Sequence, residues 1–152
     1  KGSKILEFGS GHGSQILSKN YKLWSIEHDS DWIGISDSNY ILAKICDNPI
    51  STEYGESGWY DSKLFSEIPD DFELIIIDGP PGSIGRSGIL HHLNDLPKTT
   101  WILIDDSDRD AETNLVTEFE NHYNPITIDE VESANYPRPD GVNRSSTVIK
   151  LR

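Results

Sequence analysis

The sequence predicts an α/β domain whose mostly parallel seven-stranded sheet lies between two layers of helices and ends in an antiparallel hairpin. Short apolar runs alternate with amphipathic stretches along most of the 152 residues, as in a parallel sheet with helices on both faces. The last two runs are joined by a segment containing prolines, which exclude a helix there. Because a parallel return needs about a dozen connecting residues and usually a helix, we expect this final pair to be antiparallel.

Seven apolar runs are the predicted strands. The strongest contains Leu74 to Ile77, a continuous aliphatic run of the kind that is buried on both faces of a parallel sheet. In chain order, the predicted strands cover residues 5–8, 23–28, 40–45, 72–77, 101–104, 126–131 and 147–151.

The amphipathic stretches between these runs are the predicted helices. The longest places Leu115, Val116, Phe119 and Tyr123 at helical spacing, and Asp61 is a predicted N-cap. The predicted helices cover residues 14–19, a helix that starts at 30–32, 61–68, 87–96 and 108–123. The predicted loops cover residues 48–60 and the turn-rich stretch 136–141.

The composition restricts the class of protein and of partner. Thirteen Lys and Arg against 26 Asp and Glu give a formal net charge of −13, a field that repels nucleic-acid phosphates and anionic membranes. We therefore expect no nucleic-acid partner, and no apolar run reaches the roughly 20 residues that a membrane span needs. The single cysteine, Cys46, excludes an internal disulfide and is compatible with a reducing, cytoplasmic location.

Three alternating glycines follow the first predicted strand. Glu7, Gly9, Gly11 and Gly13 form the pattern E-x-G-x-G-x-G at the turn into the first helix. Ligands of open α/β sheets bind at the carboxyl ends of the strands, and glycine lets the main chain approach a ligand closely. The third glycine comes one residue too early for the dinucleotide fingerprint, and no Gly-Lys-Ser/Thr follows as a phosphate loop requires. The pattern therefore indicates a ligand-binding loop but disfavours a loop that binds a pyrophosphate. The alternative to a ligand-binding loop is a plain tight turn.

The run from Glu7 to Ser14 resembles motif I of the class I S-adenosylmethionine-dependent methyltransferases, which have a Rossmann-like fold. The order of elements is similar to theirs along nearly the whole chain. The resemblance implies a single methyltransferase-like domain over 1–152, an S-adenosylmethionine cofactor and a glycine loop packed against the methionine part of that cofactor. Family members usually have helices before the first strand, so we interpret the start at Lys1 as the loss of those helices.

The same resemblance implies which residues bind the cofactor. Glu27 ends the second strand, where the family has an acid for the ribose; a carboxylate there can accept from two vicinal hydroxyls. Asp47, after the third strand, matches the family position near the adenine. The implied cofactor-binding residues are Glu7, Gly9, Ser10, Gly11, Gly13, Glu27, His28, Asp47 and Asp78.

Acidic residues also end the fourth and fifth strands. Because adjacent strand ends lie about 5 Å apart, Asp78, Asp105 and Asp106 can converge, and converging carboxylates repel one another unless they are protonated or bind a cation. This arrangement resembles the metal-dependent O-methyltransferases of the catechol type, which implies Mg²⁺ or another divalent cation at these three residues. In the alternative, Asp106 or Asp108 caps the long helix and only Asp78 lines the site.

A second resemblance covers the run from Asp78 to Gly82, then Gly85-Arg86-Ser87 and residues 104–112. It is similar to the plant methyltransferases that act on glucuronoxylan. Arg86 is predicted to hold an acidic or hydroxylated substrate, because a guanidinium pairs bidentately with a carboxylate; a surface arginine is the alternative. His91 is a candidate general base. The predicted catalytic residues are Asp78, Asp105, Arg86 and His91.

These observations predict an S-adenosylmethionine-dependent O-methyltransferase in which a substrate oxygen attacks the cofactor methyl in line. A hydroxyl of a glycan or polysaccharide is the first acceptor considered, and a small phenolic hydroxyl is the second. A non-catalytic nucleotide-binding domain would keep the glycines and Glu27 but not need acids at the other strand ends. A nicotinamide-dependent oxidoreductase is disfavoured by the early third glycine. A homodimer, or another partner over the pocket, is left open.

Overall fold

The computed structural model describes residues 2–133, 139, 141 and 143–151. The strands are β1 (Lys4–Phe8), β2 (Lys22–Glu27), β3 (Asn39–Leu42), β4 (Ile45–Cys46), β5 (Trp59–Tyr60), β6 (Leu74–Ile77), β7 (Trp101–Ile104), β8 (Thr127–Ser133) and β9 (Arg144–Lys150). The α-helices are α1 (His12–Asn20), α2 (Pro49–Glu53) and α3 (Asp110–Tyr123). Short 3₁₀ helices cover Ser30–Trp32, Ser62–Ser66 and Ser87–His92.

Seven strands form one sheet in the order β3-β2-β1-β6-β7-β9-β8. The first five in this order pair in parallel, and β9 runs antiparallel to both β7 and β8. The predicted mostly parallel seven-stranded sheet with a C-terminal antiparallel hairpin is therefore confirmed. The chain builds outward from β1 to β3 and then returns to the other side of β1 with β6, so the sheet has a topological switch point between β1 and β6.

The register of the central strands brings their carboxyl ends to one edge of the sheet. Phe8, the last residue of β1, pairs with Ile26 in β2 and with Ile77 in β6, and Ile77 pairs with Ile104 in β7. The residues that come directly after these four therefore lie side by side along this edge. They are Gly9, Glu27, Asp78 and Asp105.

The main core lies between the sheet and α3. Leu115 and Phe119 of α3 are buried on the predicted helical face, and Ile89 of the third 3₁₀ helix joins them. The sheet contributes alternate residues, as a strand that presents one side to a helix must. These fully buried sheet residues are Leu6, Phe8, Ile26, Ile75, Ile77, Ile102, Ile104 and Ile149. Helix α1 lies on the opposite face, where Glu7 contacts Ser14, so the domain has three layers.

The region after β3 differs from the prediction. The expected strand at 40–45 ends at Leu42, and β4 instead pairs antiparallel with β5 in a separate two-stranded sheet. Helix α2 lies within the predicted loop at 48–60. Asn48 caps it, with Oδ1 accepting from the N–H groups of Ile50 and Ser51, and Pro49 stands at its first position. The pair Asn-Pro is therefore the signal that starts this helix.

The other helices differ from the prediction in type or in length. The segments expected to be helical at 61–68 and 87–96 are 3₁₀ turns, although Asp61 does cap the first of them by accepting from the Lys63 N–H. Helix α3 begins at Asp110 with Arg109 at the N-cap, so the idea that Asp106 or Asp108 caps it is wrong. Asp108 instead accepts a hydrogen bond from the Ser145 N–H. The predicted loop at 136–141 lies outside the described residues, apart from positions 139 and 141.

Within the described part of the chain, none of the helices has both the length and the apolar character needed to cross a bilayer.

Candidate functional site

The glycine loop after β1 lies against the loop after β6. Gly9 has a φ of +87°, a left-handed conformation that favours glycine. A Cβ atom at Gly9 would lie 2.9 Å from Gly79 Cα, so the two loops touch through their main chains. A Cβ at Gly11 or Gly13 would meet nothing within 4 Å. Gly9 is therefore required by the protein itself, whereas the other two glycines leave open space in front of the loop.

Glu7 lies beneath the glycine loop and does not line the cavity described below. Its Oε1 accepts hydrogen bonds from Ser14 at 2.6 Å and from Ser25 at 2.5 Å, and the Ser14 hydroxyl accepts in turn from the Gly11 N–H. Burial raises the pKa of Glu7, although both serine hydroxyls oppose the shift. The buried carboxylate ties the start of α1 to β2 and so holds the loop in shape.

Glu27 is a buried carboxylate that accepts four hydrogen bonds. Its Oε2 accepts from the N–H of Ser10 at 2.8 Å and from the Ser10 hydroxyl at 2.9 Å. Its Oε1 accepts from the N–H groups of His28 and Asp29 at 2.7 and 2.9 Å. Nδ1 of His28 also lies 2.9 Å from Oε1, without hydrogen-bond geometry. The carboxylate thus joins the glycine loop to the end of β2.

A cavity of ≈ 240 Å³ opens at this edge of the sheet, at the switch point between β1 and β6. Its lining residues are Gly9, Ser10, Glu27, His28, Asp29, Trp32, Tyr60, Asp78, Gly79 and Pro81. Larger cavities of ≈ 380 and ≈ 490 Å³ lie near the amino ends of the strands, around Leu74 and around Lys98. Because ligands of open α/β sheets bind at the carboxyl ends, the smaller cavity is the candidate site.

Three carboxylates converge beside this cavity, as the sequence predicts. Oxygen atoms of Asp78, Asp105 and Asp106 lie within 4.8 Å of one another. Desolvation, followed by the Asp105 carboxylate, raises the pKa of Asp78 to about 7, while Arg86 opposes the shift. Asp105 Oδ1 also accepts from the Ser146 hydroxyl at 2.6 Å. Asp78 is therefore a carboxyl that changes protonation near neutral pH.

Arg86 lies behind the carboxylates instead of facing the cavity. Its guanidinium is 4% exposed and donates to the main-chain oxygens of Pro80, Asp105 and Asp78 at 3.2, 2.9 and 2.9 Å. It also donates to Asp78 Oδ1 at 3.1 Å and lies 3.7 Å from both Asp106 and Glu112. One side chain thus binds the carboxyl ends of β6 and β7 together, and its contacts lie within the protein.

Two further predicted site residues, Asp47 and His91, lie at a different cavity. Asp47 and His91 line a separate cavity of ≈ 200 Å³ that also contacts Trp59 and Tyr60. His91 is exposed, and the neighbouring His92 lies 3.1 Å from Asp95. Neither Asp47 nor His91 lines the cavity at the switch point.

Five cavity residues are absent from the sequence-based site. Asp29 and Trp32 follow β2, and their closeness to Glu27 in the chain is a signal that points to them. Tyr60 reaches the cavity only because β5 pairs with β4, which no local pattern indicates. The five residues are Asp29, Trp32, Tyr60, Gly79 and Pro81.

The sequence matches no protein-family model and no curated protein. Solved structures do match its fold. The METTL16 methyltransferase domain superposes with a TM-score of 0.63 at 9% identity, covering 99% of this chain and 60% of that one. A candidate rRNA methylase from Clostridium thermocellum gives a TM-score of 0.61 at 11% identity, covering 100% and 90% of the two chains. A candidate methyltransferase from Streptococcus mutans, solved with SAH, gives 0.57 at 14% identity, covering 99% and 90%.

These similarities extend over essentially the whole of this chain, and these three proteins are described as methyltransferases or methylases. The fold is therefore that of the class I S-adenosylmethionine-dependent methyltransferases, which confirms the Rossmann-like fold expected from the sequence. Identities this low concern the fold alone, because one fold supports many reactions. The chain spans less than two thirds of the METTL16 domain.

Proposed function

We propose that this protein is an S-adenosylmethionine-dependent O-methyltransferase. One observation carries the proposal: a glycine loop, the Glu27 carboxylate and the Asp78 carboxylate line a single cavity at the switch point of a methyltransferase fold. A non-catalytic nucleotide-binding module would use the first two features. It would not need a titrating carboxylate cluster at the ends of the next two strands.

The nucleoside part of the cofactor is assigned to the Glu27 end of the cavity. A carboxylate can accept hydrogen bonds from two vicinal hydroxyls, as a ribose offers. The four donors that Glu27 already engages are three main-chain N–H groups and the Ser10 hydroxyl. The hydroxyl is the mobile member of this set, so a ligand hydroxyl takes its place by rotation of the Ser10 side chain.

The reacting end of the cavity is assigned to Asp78. When bound, the cofactor supplies an electrophilic methyl group on its sulfonium sulfur. An acceptor hydroxyl must lose its proton as its oxygen forms the new bond to that carbon and the bond from carbon to sulfur breaks. We assign that proton to Asp78, which has Asp105 beside it, and a pKa of about 7 suits a general base at neutral pH. Arg86 holds the carboxylate in place through its bond to Oδ1.

A divalent cation at Asp78, Asp105 and Asp106 stays a prediction from the sequence. Oxygen ligands suit Mg²⁺. However, Asp106 Oδ2 already lies 2.8 Å from Arg109 and 3.7 Å from Arg86, so two guanidinium groups balance part of the negative charge of this cluster. No step of the reaction is therefore routed through a cation, and Mg²⁺ enters the test as a variable.

The acceptor is assigned to the class of neutral or weakly charged hydroxyl compounds. A glycan hydroxyl is the first candidate and a small phenolic hydroxyl the second. A nucleic acid is less favoured because the net charge of −13 repels phosphates, although one of the matched structures is described as a candidate rRNA methylase.

Calorimetric titration with S-adenosylhomocysteine, with Mg²⁺ and with EDTA, tests the cofactor site. We expect micromolar binding that Glu27→Gln weakens by about tenfold or more, since the variant loses a carboxylate oxygen facing the ribose. Glu56→Gln is the matched control, because Glu56 also accepts from a main-chain N–H and a hydroxyl, both of Ser87, outside the cavity. Absence of binding by a folded wild-type sample would overturn the cofactor assignment.

Transfer of a labelled methyl group from S-adenosylmethionine tests the reaction. The three acceptors are xylan oligosaccharides that carry glucuronic acid, catechol, and total ribosomal RNA. Transfer to either hydroxyl compound that is lost in Asp78→Asn supports the proposal. Methyl transfer to RNA alone would overturn the assignment of a hydroxyl compound as the acceptor and make RNA the acceptor. Cofactor binding without methyl transfer to any of the three acceptors would favour a non-catalytic nucleotide-binding module.

A further inference from the structure

The phenol of Tyr60 is a buried polar group without a partner. The residue is 2% exposed, and among the described residues nothing lies at hydrogen-bond distance and geometry from its Oη. Most buried polar side-chain atoms in proteins do have a partner, so an orphaned hydroxyl needs an explanation. Burial, then the Glu27 carboxylate, raise the pKa of Tyr60 well above its usual value, which keeps the phenol neutral.

The position of this hydroxyl is specific. Tyr60 lines the candidate cavity together with Gly9, Asp78 and Gly79. A Cβ atom at Gly79 would lie 2.7 Å from Tyr60 Oη, so the hydroxyl sits against the main chain where the loops after β1 and β6 cross. The hydroxyl therefore lies where the glycine loop meets the loop that follows Asp78.

Packing explains the ring of Tyr60 but not its hydroxyl. The ring centroid lies 5.0 Å from that of Trp59 and 6.1 Å from that of Phe8, both in the core. Phenylalanine would make the same ring contacts without desolvating a polar group. Because the described residues give the hydroxyl no hydrogen bond, a ligand in the cavity is the partner to consider.

We infer that Tyr60 Oη is a ligand contact, accepting a hydrogen bond from the ammonium group at the amino-acid end of the cofactor. This inference rests on the proposed function. With the ribose at Glu27, we assign the amino-acid end to the junction of the glycine loop with Asp78 and Gly79, where Tyr60 Oη lies against Gly79. A carboxylate there attracts a cation, and the phenol oxygen offers lone pairs beside it. Because the oxygen is buried in the free protein, this contact requires the two crossing loops to separate slightly when the ligand binds.

Two ligands separate this contact from a general effect on the site. S-adenosylhomocysteine carries the amino-acid end, and 5′-methylthioadenosine lacks it. We expect Tyr60→Phe to weaken the affinity for S-adenosylhomocysteine by about fivefold or more. The affinity for 5′-methylthioadenosine should stay within about twofold of that of wild type. The melting temperature of the ligand-free variant should equal or exceed that of wild type, because an unpaired buried hydroxyl has been removed.

Ser145→Ala is the matched control. Ser145 also has a buried hydroxyl without a partner among the described residues, but it lies in β9 and does not line the cavity. Its variant should bind both ligands like wild type.

The outcomes distinguish the two proposals. Wild-type binding of S-adenosylhomocysteine that Tyr60→Phe leaves unchanged overturns the Tyr60 contact and leaves the proposed function standing. An equal loss of affinity for both ligands overturns the assignment of Tyr60 to the amino-acid end of the cofactor. A lower melting temperature in Tyr60→Phe would assign the hydroxyl a structural role and overturn the inference. Failure of the wild type to bind either ligand overturns the proposed function and this inference with it.

Discussion

Ser10 donates twice to Glu27, through its main-chain N–H at 2.8 Å and through its hydroxyl at 2.9 Å to the same carboxylate oxygen. The main-chain N–H is held by the conformation of the loop, whereas the hydroxyl can rotate away from Glu27. The glycine loop and the end of β2 are therefore joined by one permanent contact and one exchangeable contact. In the free protein, the Ser10 hydroxyl occupies the place that the proposed function assigns to a ligand hydroxyl.

Replacing Ser10 by alanine should separate the stability of this link from its function. We expect Ser10→Ala to lower the free energy of unfolding by about 1.5–3 kcal/mol, the range for a hydrogen bond to a charged group. Affinity for S-adenosylhomocysteine should stay equal or rise, because the ligand hydroxyl no longer competes with a side chain. Urea unfolding and calorimetry measure the two effects. A tenfold loss of affinity would instead make the hydroxyl a direct ligand contact.

The glycines of the loop should differ in their tolerance of alanine. Gly9→Ala adds a Cβ 2.9 Å from Gly79 Cα at a φ of +87°, and a left-handed conformation alone costs a non-glycine residue about 1–2 kcal/mol. Gly13 lies in the first turn of α1 with open space around it, so Gly13→Ala should stabilise the protein by up to about 1 kcal/mol. Thermal unfolding of the two variants tests whether Gly9→Ala lowers the melting temperature and Gly13→Ala does not. A lower melting temperature in Gly13→Ala would contradict the prediction.

Loss of the buried guanidinium should unfold the site. Arg86→Met leaves three main-chain oxygens and nearby carboxylates without their donor, and breaking a buried ion pair in this way costs about 3–5 kcal/mol. Arg109→Met is the comparison, because Arg109 contacts the same Asp106 but is 36% exposed. We expect this variant to lose less of its free energy of unfolding than Arg86→Met does. Denaturant unfolding measures both. Equal losses would contradict the assigned role of Arg86.

Stability should depend on pH through Asp78. Its pKa is about 7 in the folded protein, against about 4 for an ordinary aspartate, so the folded state keeps a proton that the unfolded chain has lost. The free energy of unfolding must therefore fall as the pH rises from about 4 to about 7. Asp78→Asn should flatten this decline, as seen by urea unfolding in EDTA across that range.

Glu7 and Glu112 retain part of the slope in that variant, because their pKa values are also raised by burial. A slope identical to that of wild type would mean that Asp78 is not the group that titrates.

The strands of the main sheet were predictable because each carries its own signal. Leu74 to Ile77 is apolar throughout and lies at the centre of the sheet, as such runs do. The pairing of Ile45 with Tyr60 was not predictable, because two-residue strands have no periodicity. The 3₁₀ turns were expected as α-helices because capping signals such as Asp61 start both kinds of helix.

The sequence by itself determined the ends of the long strands and hence which residues stand at the ligand edge: Gly9, Glu27, Asp78 and Asp105 directly follow apolar runs. Only the tertiary structure decided which other side chains contact this edge. Arg86 turns inward to the carbonyl oxygens of two strand ends, and Tyr60 reaches the cavity from a hairpin formed across an intervening helix. The physical reason is that strand ends follow from local apolar patterns, whereas hydrogen-bond partners and cavity walls depend on distant segments meeting in space.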